Sequence, residues 1–446
     1  MRFSRWIGVG LVGIVQAGFV TACQFARPAD IDPDAADVDV APLECTPSTT
    51  TCSNDRYTEC DLTGHFIRYQ VPNGAGVGMP TTLVMDDYEC PLGCGDATRC
   101  ANPVAAHGVA SLVPTWSAPL ADVDLTTSGG SAITIATDTT RAEIEIADAA
   151  GHTFRVPVEV VGQAGGPEIL VLEVRSLTIR ADARVVARGS RALAIASALD
   201  IVIAGRLDAA GVPDAAGGVT TGACVGTTSR TVASGGGGNV HAGGESSDLD
   251  PGGAAQPSDQ PILVGGCGGG PLDGMAGGAP GGALQLTSRT RISLEDGAIV
   301  SVAGGGGIAF HSASDGANRA TGGGAGGFVQ LEAGLIQVAP MARVVGRGGS
   351  GSAAKLGQVA IYAQGVAGDA DLTAPIVAGA ACTDCGGGGR GGLPETPPTQ
   401  GISSPTGWGG GGGSVGRAVI ATRTGTVSPP AGTMMIKYAL ATLARN

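Results

Sequence analysis

The stretch Leu170 to Gly211, LVLEVRSLTIRADARVVARGSRALAIASALDIVIAGRLDAAG, reads as one unit of about 22 residues written twice. Leu177 and Ile179 recur as Leu199 and Ile201. Ala183, Val185, Ala187 and Gly189 recur as Gly205, Leu207, Ala209 and Gly211. Within each unit apolar and polar residues alternate with period two, the period of a strand. A fixed repeat built on strands leaves few architectures open, because each unit buries its apolar face only against its neighbours. With Ala183 as a register mark, apolar residues precede it by 13, 11, 6 and 4 positions, at Leu170, Leu172, Leu177 and Ile179. Around Ala342 the same offsets give Val329, Leu331, Ile336 and Val338; around Gly297 they give Leu284 and Leu286, with Ile292 and Leu294 slipped by one. Two looser copies run from Gly357 to Gly379 and from Gly416 to Gly432. Three short strands per unit, apolar residues inward, predict an all-β chain with a right-handed parallel β-helix over 167–433. The six-residue apolar repeat of a left-handed hexapeptide helix is missing from the sequence.

Composition agrees with a narrow interior. Aromatic residues are 3% of the 446, whereas apolar content is 43% and mostly aliphatic. Glycine reaches 78 residues, more than twice the usual share of about 7%. Much of it falls in insertions at about 212–281, 306–326, 349–356 and 380–415. All follow the same point of the repeat, so they are expected to leave the stack on one side. Runs such as Gly235–Gly238 and Gly409–Gly413 have no side chains to pack, and read either as mobile loops or as extended glycine strands lying against one another. Residues 434–446 read as a C-terminal cap, strand or short helix.

The N-terminus carries an address. Arg2 and Arg5 precede an apolar run from Trp6 to Val20, too short for a confident membrane span. Val20-Thr21-Ala22-Cys23 then resembles the lipobox of bacterial lipoproteins. The resemblance implies that 1–23 is a signal peptide, that Cys23 becomes the lipidated first residue, and, with Gln24 following it, that the chain belongs at the outer membrane, facing the periplasm or the surface. Its membrane partner is then the lipid anchor itself. Residues 24–44, rich in Asp, Ala and Pro, read as an acidic tether.

Ten cysteines remain after Cys23, an even number suited to disulfides in an exported protein. Cys45, Cys52, Cys60, Cys90, Cys94 and Cys100 define a six-cysteine module over 45–103 whose fifteen possible pairings stay open. Cys224, Cys267, Cys382 and Cys385 lie in the Gly-rich part. Only Cys382 and Cys385 have the C-x2-C spacing of a zinc ligand pair, and no second pair joins them. Residues 104–166 alternate as strands, with Ala142–Ile146 facing Phe154–Val160 across Asp148–Gly151; they read as a small β region or a cap of the stack. Taken together, the chain resembles glycine-rich lipoproteins of Gram-negative bacteria, and its repeats are similar in pattern to pectin-lyase-like folds.

The search for chemistry yields a ladder rather than a catalytic set. Arg184 and Arg206 share one position of the repeat, and Arg343 shares it in a later unit; Arg188 and Arg347 share another outward position. Such a row reads either as a basic stripe for an anionic polysaccharide or as a solvated face neutralised by Asp182, Asp200 and Asp208. The carboxylate pairs Asp248/Asp250 and Asp369/Asp371 lie in or near loops without an aromatic platform for a sugar. Gly412–Gly416 matches G-x-S-x-G only as a string inside a glycine run. Gly268–Gly274 with Asp273 is the nearest approach to a calcium nonapeptide. His65, Asp86 and Asp87 read as surface groups, and His107 and His152 as lone histidines near turns. No cofactor or metal is expected, and a net charge of −13 with two lysines argues against nucleic acid. The expectation is a structural, adhesive or interaction protein of the cell envelope without catalytic activity. The alternative is a β-helix that binds or degrades polysaccharide through Arg184, Arg206 and Arg343.

Overall fold

The computed structural model describes residues 49–53, 56–59, 69–72, 82–85, 88–89, 94–97, 99–100 and 103–444, the last apart from 108, 110–119, 128–130, 149, 212–214, 229–231, 258–261, 313–314, 357–360 and 375–376. These residues are all-β, with no α-helix among them, and their main sheets curl about one aliphatic core. Cys23, the tether, Cys45, Cys60, Cys90, His65, Asp86 and Asp87 lie outside the described residues.

Seven short strands come first: β1 (Thr50–Ser53), β2 (Arg56–Glu59), β3 (Tyr69–Pro72), β4 (Thr82–Met85), β5 (Tyr88–Glu89), β6 (Cys94–Asp96) and β7 (Arg99–Cys100). β1, β2 and β5 make an antiparallel sheet, β3 pairs with β4, and β6 pairs with β7. Cys52 sits in β1, Cys94 stands opposite Cys100, and Cys94 is disulfide-bonded.

Next come β8 (Asp122–Leu125), β9 (Ile133–Ala136), β10 (Glu143–Ala147) and β11 (Thr153–Val161). The expected hairpin forms as β10–β11, Ile144 opposite Val156. These four strands close one end of the stack. β11 adds antiparallel to β12 (Ile169–Val174), while β8 and β9 add parallel to β13 (Ser176–Ile179) and β14 (Arg184–Arg188). Val123, Leu125, Ile133, Ile135, Ile146 and Val156 thereby seal the core.

Each further passage of the chain repeats this set in parallel. It gives β15 (Ala192–Ser197), β16 (Ile201–Ile203) and β17 (Arg206–Asp208), then β18 (Ala283–Leu294) and β19 (Ile299–Ser301). After an excursion carrying β20 (Ala309–His311) and β21 (Asn318–Ala320) come β22 (Phe328–Val338) and β23 (Arg343–Val345). A second excursion holds β24 (Ala353–Lys355), β25 (Tyr362–Ala363) and β26 (Gly407–Gly409). The chain ends with β27 (Arg417–Thr422), β28 (Met434–Met435) and β29 (Lys437–Thr442). Inward residues therefore stack in columns: Leu172, Ile195, Leu286, Leu331 and Ile420 stand in register, each at most 3% exposed. Burying each contributes about 1.5–3 kcal/mol. The segment after residue 433 is strand, and it extends the sheets.

The register differs from the expected one in three places. Leu177 stands beside Ile201, not Leu199, and Ile179 beside Ile203, whereas Val185 stands beside Leu207 as expected. A shift of two residues keeps a strand on the same face, so alternation alone does not distinguish the two registers. Leu199 instead sits half-buried in the bend before β16. In β18 the one-residue slip comes from an irregularity between Ser288 and Arg291, which places Ile292 and Leu294 in register with Ile336 and Val338. Finally, Gly357–Gly379 is no turn of the stack: β22 pairs directly with β27, and β25 pairs antiparallel with β24.

The glycine insertions pack together as extended segments. Consecutive N–H groups along Ser234–Gly238 donate to Ala320, Thr227, Gly244, Gly323 and Cys224, at 2.8–3.1 Å. The neighbour repeats every third residue: Ser234 and Gly237 reach one segment, Gly235 and Gly238 a second, Gly236 a third. A β-strand alternates between two neighbours. Three-residue periodicity without internal bonds is that of a polyproline II-type helix. The segment 320–327 lies at the centre. It donates to 411 and 414, to 302 and 305, and to Cys267; it accepts from 234 and 237, from 278 and 281, and from 349 and 352. Six neighbouring segments surround it. Glycine is required by the closeness of approach: a Cβ on Gly322, Gly323 or Gly324 would overlap the carbonyl oxygens of Gly235, Gly349 or Ala279. The extended-strand alternative is thus the one realised. A disulfide between Cys224 and Cys267, Cα atoms 5.7 Å apart, ties two segments of this bundle.

Candidate functional site

The arginine ladder is present as a register. Arg184 pairs with Arg206, Arg206 with Ile299, and Ile299 with Arg343, along β14, β17, β19 and β23. Its charge is largely spent inside the molecule. Arg184 reaches the Asp208 carboxylate at 2.8 Å, and Arg206 reaches the same oxygen at 3.0 Å and also Asp369. Ser301 donates to that Asp369 oxygen at 2.9 Å. Burial opposes the charge of Arg206, but Asp208 and Asp369 outweigh it and hold the guanidinium above its ordinary range. Arg343 turns toward the carbonyls of Pro340 and Ala342. Asp200, expected to offset the ladder, pairs instead with Arg291.

Arg347 does not face outward as its repeat position predicts: it is 3% exposed and donates to the carbonyls of Gly368, Asp371 and Ala374. Residues 368–374 return beside β17, β19 and the end of β23. This return also brings Asp369 to Arg206, while Asp371 caps its own turn at Thr373 and Ala374. The two carboxylates therefore hold different structures and do not converge.

The remaining candidates have structural partners. Asp250 is buried, and its N–H donates to Ser246 Oγ. Ser414 lies buried in the bundle and accepts the His241 N–H at 2.9 Å. His152 meets Asp148 within their shared turn. Cys382 and Cys385 form a local disulfide, Cα atoms 5.2 Å apart. Among the described residues no three His, Cys, Asp or Glu side chains gather as a metal site.

Two arrangements lay beyond the sequence reading. The first is a polar clasp on the outer face of the main sheet. Glu332, 2% exposed, accepts from Ala106 N–H, Gln330, Gln285 and Thr287 at 2.8–3.0 Å. His107, with φ of 59°, contacts Gln285 at 3.0 Å and stands edge-on to Phe328. Burial lowers its pKa against the opposing influences of Gln285 and Glu332. Residues 103–107 are thus strapped to the stack.

The second is the far end of the glycine bundle, where its loops meet. Ser247 and Gly409 exchange two hydrogen bonds, Ser312 donates to Asp273, Asn318 to the Lys355 carbonyl, and Lys355 to Asp384. Leu249, Asp273 and Asp384 here have positive φ, and a bulky leucine at +64° is an outlier. Leu249, Met275, Leu356, Tyr362 and Ile402 are exposed. In the three-stranded sheet β25–β24–β26, Tyr362 and Trp408 both pair with Ala354 and so share its face. The bonds between Ser247 and Gly409 also set the Trp408 backbone beside the 247–249 loop, so an aromatic residue does neighbour Asp248. Ala354 and Tyr362 pair between consecutive strands, but no sequence signal joined Trp408 to them, since it arrives only through the bundle.

Compared with known proteins, this chain matches no family model, and no curated protein or solved structure is similar to it.

Proposed function

We propose that this protein is a lipid-anchored, non-catalytic display protein of the bacterial outer membrane. In this reading Cys23 carries the lipid, residues 24–44 form the tether, and the six-cysteine module is a disulfide-held spacer. The stack is a right-handed parallel β-helix. The observation that carries the proposal is the three-fold hydrogen bonding of the glycine bundle. A bundle whose segments have no room for side chains has little room for chemistry inside it, but it holds many loop ends in fixed positions. Rigid scaffolds with variable loops are a common means of presenting binding surfaces. The ladder Arg184–Arg206 supports a structural role better than an anionic-polysaccharide site, because Asp208 and Asp369 already neutralise it.

The test is metabolic labelling with a clickable fatty acid in a Gram-negative host, with membrane fractionation. Labelling of the wild-type chain in the outer-membrane fraction, lost in Cys23→Ala, supports the anchor. Label that survives the substitution, or none in the wild type, refutes it.

A further inference from the structure

We propose that β29 (Lys437–Thr442) is the seam of a dimer: the same strand of a second copy pairs with it antiparallel, about a two-fold axis through Ala439. Such a seam depends on neither the lipid anchor nor the display of loops.

The inward columns of the stack run out at this strand. Tyr438 stands beside Ala418 and Leu440 beside Ile420, and those residues of the preceding turn are 2% and 1% exposed. Tyr438 itself is 42% exposed and Leu440 45%. Val427 and Met434 pack on the same core and are only partly buried. Among the described residues β29 pairs with β27 and with no other strand. The Lys437 N–H donates to Gly416 and the Leu443 N–H to Thr422, so the odd-numbered residues turn their backbone groups toward β27. Tyr438, Leu440 and Thr442 turn theirs the other way, to the open edge. An edge of this kind is a template for a further strand. The strap meets the edge only beyond this span, where the Val104 N–H donates to the Ala444 carbonyl at 2.8 Å.

The strand is complementary to itself. In an antiparallel pair centred on Ala439, Tyr438 stands opposite Leu440 of the second copy, and Leu440 opposite Tyr438 of the second copy. Opposite residues share a face, so both aromatic–aliphatic pairs lie on the inward side, where the columns are open. The same residues exchange N–H and C=O bonds, because both direct their backbone groups to the edge. Lys437 faces Ala441 rather than another lysine, and its charge is met within its own chain by Glu395 at 2.8 Å. The opposite end of the stack is built differently. Its core is closed, Val123 and Leu125 each being 1% exposed. Its edge strand β8 carries Asp122 and Asp124, paired with Arg175 and Arg180, and its edge strand β10 carries Glu143 and Glu145. Charged side chains on an edge keep other strands away. Contact therefore joins like ends and closes at two copies, whereas head-to-tail contact would run on into a fibre.

The experiment uses the full chain in mild detergent, with micelles in large excess so that two chains do not share one. Sedimentation gives the mass across a concentration series, and oxidative cross-linking reports the register. The expected result is a wild-type dimer. Leu440→Asp should weaken it at least about tenfold, the scale for losing a central contact. Ala439→Cys should form a disulfide-linked dimer that the wild type does not. A residue opposite its own copy in a non-hydrogen-bonded pair has Cα atoms about 4.5 Å apart, within reach of a disulfide. Thr442→Cys should not link, its two copies lying about 20 Å apart along the seam. Ala439 is exposed, so its variant keeps the test decisive if Leu440→Asp unfolds the last turn. A monomeric wild type, as when another segment or another protein covers β29, overturns the proposal. So does a dimer that a folded Leu440→Asp chain forms equally well, or one in which Thr442→Cys links as readily as Ala439→Cys.

Discussion

Gly237 donates its backbone N–H to the carbonyl of Gly323 at 2.9 Å, and three residues earlier Ser234 does the same to Ala320 at 3.1 Å. That step of three sets the stability of the bundle on the absence of side chains. A Cβ at Gly323 would overlap the Gly349 carbonyl, a backbone atom that cannot rotate away. Gly323→Ala should therefore destabilise by about 1–3 kcal/mol or more, as overpacking does. Gly162→Ala has nothing within 4 Å and no positive φ. It should be neutral or stabilise by about 0.4–1 kcal/mol. Urea unfolding of both variants checks the contrast, and equal effects would contradict the three-fold packing.

Arg184 and Arg206 face each other in register yet should differ sharply on removal. The Arg184 side chain is 53% exposed, so Arg184→Gln should cost no more than about 1 kcal/mol. Arg206 bridges Asp208 and Asp369, whose side chains are 4% and 12% exposed. Arg206→Gln leaves Asp369 without its cation and Asp208 with Arg184 alone, and should cost up to about 3–5 kcal/mol. Denaturant midpoints of the two variants decide the point; comparable losses would mean that the buried carboxylates are satisfied some other way.

The stack was legible because its signal is in side chains. Leu172, Leu286 and Leu331 announce a column through simple alternation, and Arg184 and Arg206 share one position of the repeat. The limits were equally physical. Alternation has period two, so Leu199 and Ile201 were indistinguishable as partners of Leu177. The extra residue in β18 could be seen only as a slip, not placed between Ser288 and Arg291. The bundle was hidden for a different reason: glycine runs carry no side-chain pattern, and their pairing is written only in backbone N–H and C=O groups. Asp369 lies 163 residues from Arg206, and Trp408 lies far from Tyr362, so the charge cluster and the aromatic row depend on those unreadable pairings.

The disulfides Cys224–Cys267 and Cys382–Cys385 should contribute unequally. Cys224 and Cys267 close a span of 43 residues across two bundle segments, and losing that link should cost about 2–4 kcal/mol in the chain-entropy picture. Cys382 and Cys385 are three residues apart and restrain little of the unfolded chain. The double variants Cys224→Ala/Cys267→Ala and Cys382→Ala/Cys385→Ala, compared by thermal unfolding, should show a large loss for the first and a small one for the second. The reverse order would place the long link outside the cooperative unit.

Acid should loosen the strap at 103–107. Burial of His107 lowers its pKa from 6.5, against the opposing hydrogen bond to Gln285 and the Glu332 charge. The unfolded chain then takes up the proton first as pH falls, so the folded state loses stability below about 6.5 and keeps its full stability above that value. The imidazole also fills space against Phe328, with centroids 5.9 Å apart, and its residue has a positive φ that asparagine tolerates. His107→Asn should therefore flatten the pH dependence of unfolding between pH 7.5 and pH 5 while lowering stability at neutral pH through lost packing. Glu332 has no cation in the clasp and depends on Ala106, Gln285, Thr287 and Gln330 for its hydrogen bonds. Glu332→Gln keeps much of that geometry but removes the charge that favours His107 protonation, so its unfolding midpoint should fall more steeply with acid than the wild type's. If all three proteins show the same pH slope, His107 is not the titrating group that holds the strap.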